Sequence, residues 1–424
     1  MKFRVGREEL GDAVAFVSRA LPARPVVPLL SGMLLDAAAD GLTLSCFDYE
    51  ISARVTVPAE VFEPGTALVP GKLLAEITRS LPASPAEFAA EADVVTLICG
   101  RAEFGLVCLA AEDYPALPEP PAPVGVADGG PLAAAVLQVA SSASRDDTLP
   151  MLTAICVDVS GPVLTLAATD RYRMAASELR FAPAEPDVRA VALVPARILV
   201  EAARAMTAGV PVTMAFGADS AAGGQPHPAE GMISLDSGDR RLTTRLIAGD
   251  FIKYRARFGS EFGCRADLPA GPTIEAVRRA ALVAERGSPV RLSFRPDQVV
   301  IEAHTEGRAR AAETVPAVFS GDEPVISFNP HYLLDGLVAA AAAGSASADP
   351  ARQAGGAGRA ADSSEVPEGA DAAGRIRIEF NTPAKPALIT WVDADGRQPM
   401  VAAGTVAVPA FRYLVVPLRL PERG

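Results

Sequence analysis

The chain reads as an α+β protein made of three copies of one module, and three recurrences carry that reading. The first is a short apolar strand, a proline and an amphipathic helix. It occurs as Thr66-Ala-Leu-Val-Pro-Gly-Lys-Leu-Leu74, Val191-Ala-Leu-Val-Pro-Ala-Arg-Ile-Leu199 and Val325-Ile-Ser-Phe-Asn-Pro-His-Tyr-Leu-Leu334. Its prolines fall at 70, 195 and 330, offsets of 125 and 135 residues. The second is a strand running into a polar turn: Gly41–Leu44 to Phe47-Asp48, Pro162–Leu166 to Thr169-Asp170, and Gln298–Glu302 before His304-Thr305. The third is a helix upstream of each copy. One match could arise by chance; several in one order at near-constant offset mark a duplicated unit.

Taken along the chain, Leu10, Val14, Val17 and Leu21 share one helical face. The alternation of Ile51, Ala53, Val55 and Val57 predicts a strand with one buried side. Pro131 to Ser144 supplies the middle helix, and Ile274, Val277 and Ala281 the face of the third. Proline suits the first turn of a helix, where the missing amide has no partner to lose, so the repeat helices are expected to begin at the three prolines. The units are therefore 1–125, 126–258 and 259–424, with the proline-rich Pro118–Pro123 as first linker. Gly217 to Gly231 is expected to be an extended loop. Ala343 to Gly374, rich in Ala, Gly, Ser, Asp and Arg, is expected to be a disordered insertion that inflates the third unit.

Composition narrows the function. At 424 residues two to four domains are expected. The longest apolar run, Leu337 to Ala343, is far short of a bilayer span. Met1 to Arg19 carries Glu8, Glu9 and Asp12 and is unlike a signal peptide, so a cytoplasmic protein without membrane contact is expected. Five dispersed cysteines and histidines at 227, 304 and 331 offer no clustered ligand set; no metal and no cofactor are expected, and the thiols read as free and buried. The balance of 39 basic against 51 acidic residues, net −12, argues against tight phosphate binding by the chain as a whole.

Catalytic signatures fail one by one. Gly65 to Lys72 has five residues between its glycines where a phosphate-binding loop has four, and Leu73 stands where such a loop needs Ser or Thr. No nucleophile elbow, zinc-protease helix or dinucleotide fingerprint occurs. Asp146 and Asp147 are adjacent in a turn and point apart. The chain is expected not to be an enzyme.

A set of local motifs adds to this. Met1-Lys-Phe-Arg-Val5, Leu21-Pro-Ala-Arg-Pro25 with Pro28-Leu-Leu30, and Phe47-Asp-Tyr-Glu50 come first. Asp113-Tyr-Pro-Ala-Leu117, Arg145-Asp-Asp-Thr-Leu-Pro150, Ala168-Thr-Asp-Arg-Tyr-Arg173, Phe328-Asn-Pro330 and Tyr413-Leu-Val-Val-Pro-Leu-Arg-Leu420 follow. In this order, over nearly the whole chain, they resemble the bacterial DNA polymerase III beta subunit, the sliding clamp.

The resemblance implies three similar DNA-clamp domains per chain. Two chains would form a head-to-tail dimeric ring, a homodimer with helices lining the hole and sheets outside. It implies duplex DNA enclosed without sequence reading, and as partners the DNA polymerase III alpha subunit, the clamp loader, and other polymerases and repair proteins with clamp-binding peptides. Enclosure needs only weak phosphate contact, which reconciles a −12 chain with DNA. The implied DNA-facing cations are Arg19, Arg24, Lys72, Arg79, Arg145, Arg197, Arg204, Arg278 and Arg279; Arg24 and Arg145 match the family's DNA-contacting turns. For any one of them, a solvated helix face is at least as good a reading, with Arg24 and Arg145 favoured by their turns. The helix His331 to Ala343 carries no Lys or Arg.

The partner cleft implied by motif comprises Leu152, Thr169, Arg171, Tyr172, Arg173 and Met174, then Ile252, Ala256 and Arg257, then Leu414, Val416, Pro417, Leu418 and Arg419. The implied subunit interface pairs Phe104–Leu109 with the region of Ala281–Ala284 through Leu106, Leu282 and Val283, though all three also fit a plain core. Within the cleft, Ile252 and Val416 stand where the family commonly has proline and methionine, and Pro421 to Gly424 extend the usual end. These departures suggest a second, divergent clamp copy resistant to a clamp-directed inhibitor. The competing expectation is a clamp-fold interaction scaffold that is not loaded on DNA.

Overall fold

A computed structural model describes residues 1–217, 231–259, 261–284, 288–305, 308–348, 374–403 and 406–418. Most of the two expected insertions, 217–231 and 343–374, lies outside these residues. The described part of the second, 343–348, continues a helix.

The first copy runs β1 (Lys2–Val5), α1 (Arg7–Ser18), β2 (Gly32–Ala38), β3 (Gly41–Phe47), β4 (Ile51–Val57) and β5 (Ala59–Glu63). It finishes with β6 (Gly65–Pro70), α2 (Gly71–Ser80), β7 (Ala86–Glu91), β8 (Val94–Cys99) and β9 (Ala102–Val107). The second repeats the order: β10 (Pro123–Asp128), α3 (Gly129–Ala140), β11 (Ala154–Ser160), β12 (Val163–Thr169), β13 (Arg173–Arg180) and β14 (Ala182–Pro183). Then come β15 (Arg189–Pro195), α4 (Ala196–Ala203), β16 (Pro211–Ala215), β17 (Met232–Ser237) and β18 (Arg240–Arg245). The third has β19 (Cys264–Pro269), α5 (Ala270–Val283), β20 (Val290–Phe294), β21 (Gln298–Thr305), β22 (Ala309–Pro316), β23 (Val318–Ser320) and β24 (Val325–Phe328). It continues with α6 (Pro330–Ala348), β25 (Gly374–Phe380) and β26 (Ala387–Asp393). A hairpin of β27 (Met400–Ala403) and β28 (Val406–Pro409) precedes β29 (Phe411–Val415).

Strand order repeats as well. The first copy forms β5-β1-β7-β8-β9 and β4-β3-β2-β6; the third forms β23-β19-β25-β26-β29 and β22-β21-β20-β24. The second contributes β13-β12-β11-β15, the run β16-β17-β18, and the β10–β14 ladder. Copies are joined by strand pairing. β18 pairs antiparallel with β4, from Arg240↔Val55 to Thr244↔Ile51. β29 pairs with β13, from Arg173↔Val415 to Ser177↔Phe411.

Two compact units result: Met1–Val124 with Pro211–Gly217 and Gly231–Leu246, and Gly125–Val210 with Ile247–Gly424. The last strands of copy two thus group with copy one, because a continuous ladder binds them more closely than chain order does. A further repeated detail closes each copy. The N–H of Leu109, Ile247 and Leu418 donates to the carbonyl of Leu68, Leu193 and Ser327 at 2.8, 2.8 and 2.7 Å.

The helical faces pack as the periodicity predicts. Leu10, Val14 and Val17 of α1, Leu132, Val136 and Val139 of α3, and Ile274 and Val277 of α5 are buried against their sheets; Ala281 is only half-buried. Burial of each such side chain contributes about 1.5–3 kcal/mol. The prolines correct one expectation. Pro70 and Pro195 are N-caps that end the preceding strands, and only Pro330 opens a helix. There Asn329 Oδ1 accepts from the N–H groups of His331 and Tyr332, at 3.0 and 3.3 Å. No helix among the described residues is long and apolar enough to cross a membrane.

Candidate functional site

The segment Thr169–Arg173 is a tight turn between β12 and β13. Asp170 Oδ1 accepts from the N–H groups of Tyr172 and Arg173, both at 3.0 Å, and Arg171 takes φ +81°. Thr169 Oγ1 donates to the Arg173 carbonyl at 2.7 Å. The carbonyl of Tyr172 accepts from Val416 N–H at 2.8 Å, tying the turn to the segment that follows β29. Arg173 donates from Nε to Asp170 Oδ2 at 2.9 Å and forms an ion pair with Asp335 of α6.

Below the turn lies an apolar floor. Met174 and Leu414 face each other across β13 and β29. They cluster with Ala154, Cys156, Leu193, Tyr254 and Phe258, while Val191, Ile247 and Phe251 pack at the side. The chain from Ile247 onward crosses this sheet face and is pinned to it by polar contacts. Tyr254 Oη donates to Asp158 Oδ2 at 2.7 Å, Arg255 donates to the same oxygen at 2.8 Å, and the Arg412 guanidinium lies 4.8 Å from the Phe258 ring. Burial, then the Asp158 charge, pushes the Tyr254 hydroxyl pKa up, and burial pushes the Cys156 thiol up, so both stay protonated.

Tyr172, Ile252, Val416 and Leu418 remain exposed around this floor. A groove of about 630 Å³ continues along Cys156, Asp158, Val191 and the segment Asp250–Ala256. Apolar walls with a few fixed polar groups suit an extended peptide.

The fold brings most of the sequence-named cleft residues together: Thr169, Arg171, Tyr172, Arg173 and Met174 with Leu414, Val416, Pro417 and Leu418. Ile252 and Ala256 line the groove. Leu152 is half-buried in the 3-10 turn Pro150–Leu152, where its carbonyl accepts from Ser144 N–H at 2.7 Å. Arg257 is exposed, and Arg419 lies outside the described residues. Sequence reasoning missed Tyr254, Phe258 and Asp158. Two aromatics four residues apart, bracketing the exposed Arg255–Arg257, carried that signal.

The first copy builds the same turn without the cleft. Asp48 Oδ1 accepts from Glu50 and Ile51 N–H at 3.0 and 2.8 Å, Tyr49 takes φ +73°, and Arg245 N–H donates to the Glu50 carbonyl at 2.9 Å. The positions of Met174 and Leu414 are taken there by the paired Ser52 and Thr243, both buried. Tyr114 Oη accepts from Phe47 N–H at 2.7 Å beside them. A hydroxyl-lined floor has little to gain from an apolar side chain, so the apolar version occurs at the junction of β13 with β29.

Of the sequence-named cations, Arg24, Lys72, Arg79, Arg145 and Arg197 are exposed and make no ion pair among the described residues. Lys72 Nζ donates to the Ala23 carbonyl at 3.0 Å, tethering the turn that holds Arg24. Three others are matched by carboxylates: Arg204 by Glu201 at 2.6 Å, Arg278 by Glu275, and Arg279 by Glu313 at 2.7 Å.

Sequence profiles of the DNA polymerase III beta subunit match in order: the N-terminal domain over residues 1–118, the central domain over 128–253 and the C-terminal domain over 266–343. The chain belongs to the DNA polymerase III beta subunit family. The beta sliding clamp of Streptomyces coelicolor is 43% identical over 420 residues, covering 99% of this chain and all of that one. The beta sliding clamp homolog GriR of Streptomyces muensis is 40% identical over 337 residues, 80% of this chain and 88% of the other. Among solved structures, the Bacillus subtilis sliding clamp superposes with TM-score 0.79 at 21% identity. A Pseudomonas aeruginosa sliding clamp bound to griselimycin gives 0.78 at 22%; each alignment covers 99% of this chain and all of the other.

In this beta-subunit chain the residues named for subunit contact divide. Leu106 is 1% exposed and belongs to the core of its own unit, a correction to its assignment as a contact. Its neighbour Val107 is exposed on β9, an edge strand of its sheet. Leu282 is 83% exposed at the end of α5, and Val283 is half-buried.

Proposed function

We propose that the chain is the ring-forming subunit of a replication clamp in the cytoplasm. Two copies close head to tail around duplex DNA, and the cleft beside Met174 and Leu414 carries the polymerase. The observation that carries this reading is an unmatched pair of strand edges. Twice, the last strand of one copy pairs with the fourth strand of the copy before it: β18 with β4, and β29 with β13. The same rule leaves β9 and β22 each with one side unpaired among the described residues, since both are edge strands. A second chain supplies each with its complement, and the two junctions generated by a two-fold axis close the ring with both of these edges paired. Val107 and Leu282 are apolar groups that such pairing covers.

The ring holds DNA by topology, so no chemistry is asked of the chain, and the DNA polymerase III alpha subunit, the clamp loader and repair proteins with clamp-binding peptides are its partners. Loading on nicked circular DNA by a clamp loader tests this. Retention on circles that disappears on linearisation is the expected result. Absence of retention would favour the unloaded scaffold, and equal retention on both forms would favour ordinary binding in place of enclosure.

A narrower reading of the same site is favoured by Ile252 and Val416, which line the groove and rim, together with the similarity to the homolog GriR. It makes the chain a specialised copy whose cleft binds griselimycin weakly. Calorimetric titration of griselimycin into this chain and into a housekeeping clamp decides the point, and equal affinities would end it.

A further inference from the structure

We propose that Asp335, on a helix outside the cleft, is a positioning residue that sets the cleft's geometry through Arg173. This rests on the cleft reading given above. Asp335 is the one formally charged side chain in the nineteen residues of α6. Its carboxylate is spent across the junction of the second and third copies, on an arginine only 11% exposed.

Two further contacts fix the same arginine in place. Asp170 holds its Nε at 2.9 Å, and its guanidinium lies 4.4 Å from the Tyr332 ring, which is itself stacked at 6.2 Å on Tyr172. Tyr332 is held in turn, because its carbonyl accepts from Tyr413 Oη at 2.7 Å. Gly336 makes room for the Tyr413 ring, which a Cβ at that position would strike. α6 and the turn 169–173 are thereby locked to each other through one side chain.

Such a partly buried ion pair adds little to stability, since desolvation and solvent screening offset most of the Coulomb gain, whereas its directional demand can fix one arrangement among several. The arrangement fixed here concerns the cleft directly. Arg173 is followed by the floor residue Met174, and the neighbouring Tyr172 carbonyl holds Val416 on the rim. Asp335 belongs to neither the floor cluster nor the groove lining. It acts on a partner's affinity through Arg173.

The full-length chain and its variants would be immobilised and the purified DNA polymerase III alpha subunit flowed over them, with thermal melting run alongside. Asp335→Asn is expected to weaken binding about tenfold, chiefly through faster dissociation. Asp335→Glu, which restores the charge, is expected to stay within about threefold of the parent. Val290→Ala in β20 is the control for stability alone, expected to lower the melting temperature without changing affinity. Parental affinity in Asp335→Asn overturns the proposal, as does an equal loss of affinity in Val290→Ala. An unaltered chain that fails to bind the alpha subunit removes the cleft reading, and this inference with it.

Discussion

Glu178 and Arg412 form a buried ion pair where β13 meets β29, and it is imperfectly satisfied. Glu178 Oε2 and Arg412 Nε have no hydrogen-bond partner among the described residues. Burial, only partly countered by Arg412, raises the Glu178 pKa above its ordinary value. The folded state therefore holds this proton more tightly than the unfolded one. The contribution to stability is full below the unfolded-state value of about 4.3 and is lost as pH rises through the folded value. Relative to Glu178→Gln, which does not titrate, the parent should lose stability on going from about pH 4 to 7. A flat difference in melting temperature across that range would contradict it. Val416 makes the complementary case on the rim. It is 37% exposed, so Val416→Asp should leave melting unchanged while weakening alpha-subunit binding at least about tenfold; parental affinity in surface plasmon resonance would remove Val416 from the cleft.

The informative elements are the edge strands. An edge with free N–H and C=O groups invites another strand. β9 and β22 are the edges for which the repeat prescribes a partner. Leu282 would lie beside the proposed β9–β22 junction, since α5 packs on β22, and its exposure means that Leu282→Asp costs the isolated fold little. Sedimentation should show the dimer weakened about tenfold or more. Leu106→Asp, in contrast, buries a carboxylate in the core of the first unit and should unfold it, since such a charge costs several kcal/mol. A Leu282→Asp variant as dimeric as the parent would contradict the β9–β22 pairing.

For the whole molecule, charge and topology divide the work. α3 carries no charged residue, α6 has only Asp335, and Arg204, Arg278 and Arg279 are already paired. In the proposed ring the cations left to displace counterions from DNA would be Arg24, Lys72, Arg79, Arg145 and Arg197, a small set that would keep the hold weak and permit sliding. Retention on closed circles should therefore survive an increase from about 0.1 to about 0.5 M salt, where phosphate contacts are largely screened. Arg24→Ala with Arg145→Ala should speed loss from linear DNA and leave retention on circles intact. Salt-sensitive retention on closed circles would mean that charge, rather than enclosure, holds the DNA.

The sequence by itself determined the module and its number. Strand–proline–helix spacing and helical faces such as Leu10, Val14 and Val17 are local patterns, because a buried face must repeat at 3.6 or 2 residues wherever it occurs. The terminal motif and the turn 168–173 were equally local, and so the cleft's rim was legible. Only the tertiary structure decided which strands meet. Arg173 and Val415 pair across 242 residues of chain, and no periodicity encodes such a choice; it follows from which edges remain open once each copy has folded. That choice places Tyr254 and Phe258 over the sheet, puts Ser52 and Thr243 where the second junction has Met174 and Leu414, and sends the one charge of α6 to Arg173.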